Sequence, residues 1–319
     1  MKNVAVIGGS GFIGTRLCQR LSEQDNVSFS ILDIAPSAGF PQLVIPCDVT
    51  QPAQLSDALK GKDCIINLSA EHKDNVQPIQ RYYDVNVQGA ENVCQAARDN
   101  DIQHIIFTSS VAIYGLVEQE TFEDGDINYF NHYGQSKYEA EQVYLKWLEE
   151  DKDNRTLTII RPTVVFGEGN RGNVYNLLKQ ISSGNFIMIG DGTNKKSLAY
   201  VENVAAFIQH RLSFDGSLEV FNYADKPDLP VNELVTIANQ ALDKKPSKLR
   251  LPYALGMLGG YGFDLLAKVT GREFPISSVR VKKFCATTQF GSKYRDATGF
   301  TPPVDLPAAL SKTIQNEFK

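Results

Sequence analysis

The chain has 319 residues, of which 42% are hydrophobic and 22% charged, a composition typical of a globular protein with one large domain or two modest ones. Its formal net charge of -5 does not favour binding to nucleic acid. The five cysteines and four histidines lack metal-ligand spacing, so we predict no metal site and expect reduced thiols in a cytoplasmic protein.

Strands and helices alternate through the first half of the chain. The chain reaches its first strand at residue 3 without a leader, so we expect no signal peptide. Apolar runs rich in β-branched residues predict strands at 3–8, 27–33, 42–46, 63–69, 104–110 and 157–163. Helical patterns between them predict helices at about 12–22, 51–60, 76–99 and 133–150. This alternation predicts an α/β protein with a doubly wound, parallel Rossmann sheet.

The second half is richer in Gly, Pro and Asn, and its pattern is less regular. Helices are predicted at 173–183, 201–212, 231–242 and 305–318, with a strand at 219–224. The apolar run 251–263 is too short and too glycine-rich to span a bilayer, so we predict a buried or interfacial helix and no membrane partner. We therefore divide the chain into a Rossmann domain at 1–163 and a smaller α+β domain at 164–319, some of whose segments return to the first.

A glycine-rich turn, VIGGSGFIG, joins the first strand to the first helix. Its glycines permit a tight turn and a close approach of the backbone to a pyrophosphate, which the helix N-terminus then faces. In this context the turn predicts a dinucleotide site. The predicted contacts are Gly8, Gly11, Phe12, Ile13 and Gly14.

Two acidic residues follow at strand ends. Asp33 lies 19 residues beyond Gly14, where a carboxylate bonds the ribose hydroxyls and repels a 2'-phosphate. No Lys or Arg occurs in 33–42, so we predict NAD rather than NADP. Asp48, next to Val49, is placed to accept a hydrogen bond from the adenine amino group, although a turn carboxylate near Thr50 accounts for it nearly as well.

Five segments occur in a characteristic order: GGSGFIG (8–14), SSVAIYG (109–115), YGQSK (133–137), RPTVVFG (161–167) and GDGTNKKSLAYVENVA (190–205). In this order they resemble the extended short-chain dehydrogenases/reductases, and the chain resembles the NAD-dependent epimerase/dehydratase branch, which acts on nucleotide sugars. The resemblance implies a catalytic serine, tyrosine and lysine, matched here by Ser110, Tyr133 and Lys137. It also implies a homodimer that pairs the helices at 76–99 and 133–150.

The chemistry needs these residue types. A free tyrosine has a pKa of about 10 and is a poor base at neutral pH, but a nearby ammonium lowers that pKa. The spacing of four places Lys137 beside Tyr133 on one helix face. The resemblance implies that Lys137 also bonds the nicotinamide ribose, and Ser110 is placed to bond the substrate oxygen.

The remaining candidates depend mainly on the resemblance. Leu68, Ala70 and Pro162 are predicted to contact the cofactor. Predicted substrate contacts are Ser110, Lys73 in the loop after the fourth strand, Asn173 near a helix start, Lys196 and Arg280. A solvated loop and ordinary surface cations account for several of these equally well.

The residues immediately after Ser110 narrow the choice of reaction. Relatives that catalyse 4,6-dehydration have Thr-Asp-Glu there, whereas this chain has Val111, which disfavours that reaction. We predict a 4-epimerase acting on a UDP-linked hexose or N-acetylhexosamine by transient oxidation at C4. The alternatives are a nucleotide-sugar 4-ketoreductase, a hydroxysteroid-type dehydrogenase and a non-catalytic NAD(H) sensor.

Overall fold

The computed structural model describes residues 1–73, 75–245, 249–272 and 277–319. In chain order its strands are β1 (Lys2–Ile7), β2 (Val27–Asp33), β3 (Val44–Pro46), β4 (Cys64–Asn67), β5 (His104–Thr108), β6 (Thr156–Pro162), β7 (Val164–Phe166), β8 (Met188–Ile189), β9 (Lys195–Lys196), β10 (Leu198–Tyr200), β11 (Leu218–Tyr223), β12 (Leu229–Pro230) and β13 (Arg250–Leu251).

The α-helices surround these strands. They are α1 (Phe12–Ser22), α2 (Pro52–Ala58), α3 (Gln80–Tyr83), α4 (Gly89–Asp99), α5 (His132–Glu149), α6 (Asn173–Ser182), α7 (Val201–Arg211), α8 (Val231–Ala241), α9 (Tyr253–Thr270), α10 (Ser278–Cys285), α11 (Tyr294–Thr298) and α12 (Leu306–Phe318). Short 3-10 helices cover Pro41–Leu43 and Val111–Tyr114, and a π-helical segment, Asp84–Gln88, joins α3 to α4. Within the described ranges, none of the helices is both long and apolar enough to cross a membrane.

One parallel sheet of seven strands, in the order β11-β6-β5-β4-β1-β2-β3, forms the centre of the fold. The apolar side chains on one face pack with α1 and α7, and those on the other face pack with α4 and α5. The order of the strands reverses at β1, so the carboxyl ends of β1 and β4 open a crevice where ligands of such folds bind. This arrangement confirms the predicted doubly wound α/β fold.

The second half of the chain contributes to this sheet and also builds a core of its own. β11 pairs in parallel with β6, from Leu218 opposite Leu157 to Tyr223 opposite Pro162. A separate apolar cluster gathers side chains of α6, α8 and α12. The domain boundary after residue 163 stays a prediction.

Two predicted segments differ from the structure. The helix expected at 76–99 begins at Gln80 and widens into a π turn, where Asn86 points inward and donates to Ser136 Oγ at 2.8 Å. The segment expected at 251–263 is part of α9, which continues to Thr270 with most of its large side chains exposed, so burial was the wrong alternative.

Candidate active site

The glycine turn has the geometry of a dinucleotide cradle. Gly8 has φ of +76°, and a Cβ added to it would lie 2.8 Å from the backbone nitrogen of Ser69. A Cβ on Gly14 would lie 2.5 Å from the carbonyl oxygen of Gly8, so both positions need glycine. Gly11 is the N-cap of α1, and no described side chain caps it. The first N–H groups of this helix are thus suited to a phosphate, and the turn fits a dinucleotide.

The residues that open α1 also contact the second half of the chain. Phe12 and Ile13 are partly buried against the apolar cluster of α6, α8 and α12. The beginning of the predicted cofactor helix therefore packs on the region that we expect to hold substrate.

Asp33 lies directly over the glycine turn. Its Oδ2 accepts a hydrogen bond from the backbone N–H of Ser10 at 3.0 Å, and its Oδ1 accepts from that of Ala35 at 2.9 Å. These bonds fix the carboxylate at the end of β2, beside the cradle where a dinucleotide ribose would lie.

Asp48 makes the local turn that the sequence left open as an alternative. Its Oδ1 accepts from the backbone N–H of Thr50 at 2.9 Å and from its hydroxyl at 2.8 Å. Val49 is buried, and its carbonyl accepts from Asn92 Nδ2 at 2.9 Å. Their contact with adenine stays a prediction.

The loop after β4 runs next to the glycine turn. Leu68 donates its backbone N–H to the carbonyl of Ile7 at 2.9 Å, which brings this loop and Ala70 alongside the cradle. Further along, Glu71 pairs with Arg81 at 2.7 Å, while Lys73 is exposed. Among these residues, Lys73 is therefore the candidate that can reach a ligand from solvent.

The predicted catalytic residues come together between β5 and α5. Ser110 follows β5 and begins the 3-10 helix, its Oγ accepting from the backbone N–H of Ala112 at 3.2 Å. Tyr133 lies in the first turn of α5 and shares a side-chain hydrogen bond with Ser110. Lys137 is one turn further on, buried, with its Nζ 4.2 Å from the ring centroid of Phe107.

Burial dominates the electrostatics of this pair. It raises the pKa of Tyr133 above the ordinary 10, and the hydrogen bond with Ser110 opposes that shift. It lowers the pKa of Lys137 to about 7, with the Glu141 carboxylate acting in the opposite direction. We expected the lysine to bring the tyrosine pKa below 10, but in this arrangement desolvation of the phenol outweighs any such effect.

A buried ion pair supports α5 below the catalytic residues, and sequence reasoning missed it. Glu141 accepts two hydrogen bonds from the guanidinium of Arg161, at 2.9 Å from Nε and 2.7 Å from Nη2. Arg161 also donates to the hydroxyl of Tyr114 at 2.6 Å. A signal was present, because Glu141 continues the spacing of four from Tyr133 and Lys137 along one helix face.

Two buried hydroxyls lie at the sheet edge, and sequence reasoning missed the second of them, that of Thr163. Ser109 and Thr163 follow the carboxyl ends of β5 and β6, and their hydroxyl oxygens lack a hydrogen-bond partner among the described residues. Pro162 ends β6 beside Thr163. Buried polar groups are usually paired, so such oxygens at a ligand-binding edge are candidates for ligand contact.

The predicted diphosphate-binding residues lie on three different elements, α6, β9 and α10. Asn173 is the exposed first residue of α6. Lys196 Nζ donates to the carbonyls of Lys283 at 2.8 Å and Ala286 at 2.5 Å, and burial lowers its pKa to about 8. Lys283 is part of α10, and Arg280 lies on the exposed first turn of that helix. The ammonium of Lys196 thus already holds the end of α10, a role that the sequence did not reveal.

Comparison with known proteins agrees with this geometry. The chain is 50% identical over 317 residues to an N-acetyl-alpha-D-glucosaminyl-diphospho-ditrans,octacis-undecaprenol 4-epimerase of Escherichia coli O157:H7, covering 99% of this chain and 95% of that protein. It is 27% identical to a UDP-glucose 4-epimerase of Vibrio cholerae, over 98% of this chain and 95% of that one. The fold resembles a solved UDP-glucuronic acid 4-epimerase of Bacillus cereus in complex with NAD, with a TM-score of 0.76, 18% identity and 98% of each chain covered.

The family follows from a further match over most of the chain. Residues 4–224, which include the glycine turn and the Ser110, Tyr133 and Lys137 set, match the model of the NAD dependent epimerase/dehydratase family. The chain belongs to the NAD-dependent epimerase/dehydratase family, and NAD is its cofactor.

Proposed function

We propose that this protein is a 4-epimerase that interconverts N-acetylglucosamine and N-acetylgalactosamine while the sugar is linked through a diphosphate to a polyprenol. The observation that carries the proposal is the 50% identity, over 99% of the chain, to a protein named for that reaction. The assembled Ser110, Tyr133 and Lys137 supply the chemistry. The predicted UDP-linked substrate has the same sugar diphosphate and becomes the second candidate.

The catalytic residues would divide the work at C4 of the sugar. Tyr133 takes the proton of the C4 hydroxyl. Ser110, which is hydrogen-bonded to Tyr133, stabilises the negative charge that develops on the C4 oxygen. Lys137, one turn along, holds the cofactor ribose. Bound NAD would supply a reversible acceptor for the C4 hydride, and Tyr133 would return the proton to the oxygen once the hydride is back on the other face of the sugar.

The two halves of the chain would divide the ligands. Residues 1–163 hold NAD, with Gly8, Gly11 and Gly14 at the pyrophosphate and Asp33 at the ribose. Residues 164–319 and Lys73 hold the sugar diphosphate. Lys196 already donates to backbone carbonyls, and Asn173 and Arg280 are exposed.

The test follows a deuterium at C4. Purified protein is incubated with C4-deuterated N-acetylglucosaminyl-diphospho-undecaprenol and unlabelled NAD, and UDP-N-acetylglucosamine is tested in parallel. An epimerase yields the galacto product with the deuterium retained, and the faster substrate identifies the carrier. Loss of deuterium to the nucleotide pool, or no inversion with either substrate, would overturn the proposal.

A further inference from the structure

Helix α9 packs on the protein through its glycines. Gly256 and Gly260 are its buried residues. A Cβ on Gly260 would lie 2.7 Å from Cα of Ser278, and one on Gly256 would lie 2.6 Å from the Ile189 side chain. The buried glycines of α9 therefore let the helix lie against the backbone of α10 and the Ile189 side chain of β8.

The opposite side of α9 carries large apolar residues in solvent. Leu258, Leu265 and Val269 are 69%, 65% and 76% exposed. At 100° per residue they lie within about 40° of one another around the helix. Leu255, Tyr261 and Leu266 flank them and are about half exposed or more. We call these six side chains the apolar face. A surface helix normally buries such residues, so a patch of this kind indicates a partner.

Positive charge is concentrated in α9 and the chain segments on either side of it. The described residues of 244–283 include eight exposed lysines and arginines and a single acidic residue, Asp264, which accepts hydrogen bonds from Ser278. The whole chain, by contrast, has a net charge of -5. The cations are Lys244, Lys245, Arg250, Lys268, Arg272, Arg280, Lys282 and Lys283.

We propose that α9 lies flat in the surface of an anionic lipid bilayer, with the apolar face among the headgroups and these cations against lipid phosphates. An apolar helix face bordered by Lys and Arg is the pattern of helices that bind in the plane of the membrane interface. The helix has 18 residues, about 27 Å of length. A second copy fits this surface less well, because pairing two such faces would bring like charges together.

The position of α9 relates the proposed membrane contact to catalysis. This step of the inference rests on the proposed function. α10, on which α9 packs, carries Lys283, whose Nζ lies 4.8 Å from the ring centroid of Phe130. Phe130 is 51% exposed and precedes Tyr133 by three residues. Contacts thus run from α9 through α10 to Phe130, which precedes α5. A sugar diphosphate on a membrane-embedded polyprenol could reach Tyr133 while its lipid stayed in the bilayer.

Cosedimentation of the purified full chain with vesicles tests the proposal without any sugar substrate. The protein should bind vesicles of phosphatidylethanolamine and phosphatidylglycerol, and bind phosphatidylcholine vesicles more weakly. The double variant Leu258→Glu/Leu265→Glu should lose about tenfold or more in binding. Leu218→Glu, an exposed leucine on β11, should bind as the unchanged protein does. Thermal unfolding and NAD binding show that each variant is folded.

Two results would overturn the proposal: no sedimentation of the unchanged protein with anionic vesicles, or equal sedimentation of the double variant. If the unchanged protein does not bind vesicles but forms a dimer, and the double variant does not form that dimer, the partner of the apolar face is a second copy of the chain. Turnover of a short-chain prenyl diphosphate sugar in detergent tests the proposed function separately. Vesicle binding without turnover would overturn the function alone.

Discussion

Tyr133 and Lys137 lie one turn apart on α5, yet burial moves their pKa values in opposite directions. The phenol becomes harder to ionise, and the pKa of the amine falls to about 7. Each shift favours the neutral form, as expected where water is excluded. The residues therefore need another interaction before the tyrosine can act as a base, and the hydrogen bond with Ser110 is the one that the structure supplies.

Removing the phenolic hydroxyl tests the catalytic assignment. Tyr133→Phe keeps the ring and removes the group that accepts the C4 hydroxyl proton, so turnover should fall by about a thousandfold or more. NAD binding and the free energy of unfolding should remain close to those of the unchanged protein. Steady-state kinetics and NAD titration measure both. A variant with near-full activity would remove Tyr133 from the mechanism.

The buried amine of Lys137 should make stability depend on pH. Its folded-state pKa of about 7 lies below the ordinary 10.5, so between these values the unfolded chain binds more protons than the folded chain. Lys137 therefore destabilises the fold fully below pH 7, and this effect disappears as pH rises to 10.5. Lys137→Met should raise the free energy of unfolding at pH 7, by on the order of 3 kcal/mol, and by much less near pH 10.

Urea unfolding at several pH values measures this effect. Lys146→Met on the exposed side of α5 is the control, and its effect should change little with pH. A stability gain in Lys137→Met that stayed constant from pH 7 to pH 10 would show that the lysine titrates normally in the folded chain.

At the scale of elements, the β1–α1 turn depends on backbone contact. In Gly14→Ala the new methyl group would meet the carbonyl oxygen of Gly8 at 2.5 Å and push α1 away from β1. NAD binding should weaken by about tenfold or more. Gly39→Ala is the matched control, because nothing lies within 4 Å of its Cβ position. Calorimetric titration with NAD distinguishes the two, and equal affinities would show that this turn does not position the cofactor.

The ion pair between Glu141 and Arg161 joins α5 to β6. Glu141→Ala leaves a buried guanidinium without its carboxylate and should lower the free energy of unfolding by about 3–5 kcal/mol. In the double variant Glu141→Leu/Arg161→Met, the loss of unfolding free energy should be smaller than the sum of the losses in Glu141→Leu and Arg161→Met made separately. Glu149→Ala breaks an exposed pair between the last residue of α5 and Lys152 in the turn that follows, and should cost less than about 1 kcal/mol. Additive losses in the buried pair would contradict a direct interaction.

At the scale of the whole molecule, the sequence predicted what depends on local pattern. The alternating strands and helices, the glycine turn and the position of Tyr133 and Lys137 one turn apart on a single helix follow from periodicity and spacing, and the structure has all three. Contacts between distant segments were not accessible in this way. Lys196 reaches carbonyls of α10 that lie almost ninety residues later, and no spacing rule indicates such a bond.

Composition was a poor guide to burial in the second half. The apolar residues of α9 suggested a buried or interfacial helix, but only a structure shows that its glycines face inward and its leucines outward. On α5 the large apolar residues point inward. Tyr144, Trp147 and Leu148 belong to the core of this chain and are not available to a partner. The predicted homodimer stays a prediction, which light scattering can measure.

The pairing of β11 with β6 has a consequence for how the chain is made. When β6 leaves the ribosome its outer edge has no neighbour, and it remains open until Tyr223 has also emerged. An unpaired edge of an apolar strand is prone to associate with other chains. A nascent chain halted after the glycine turn and α5 would contain the predicted catalytic residues but expose this edge. Completion of the enzyme during synthesis thus depends on a strand that contributes none of the predicted site residues.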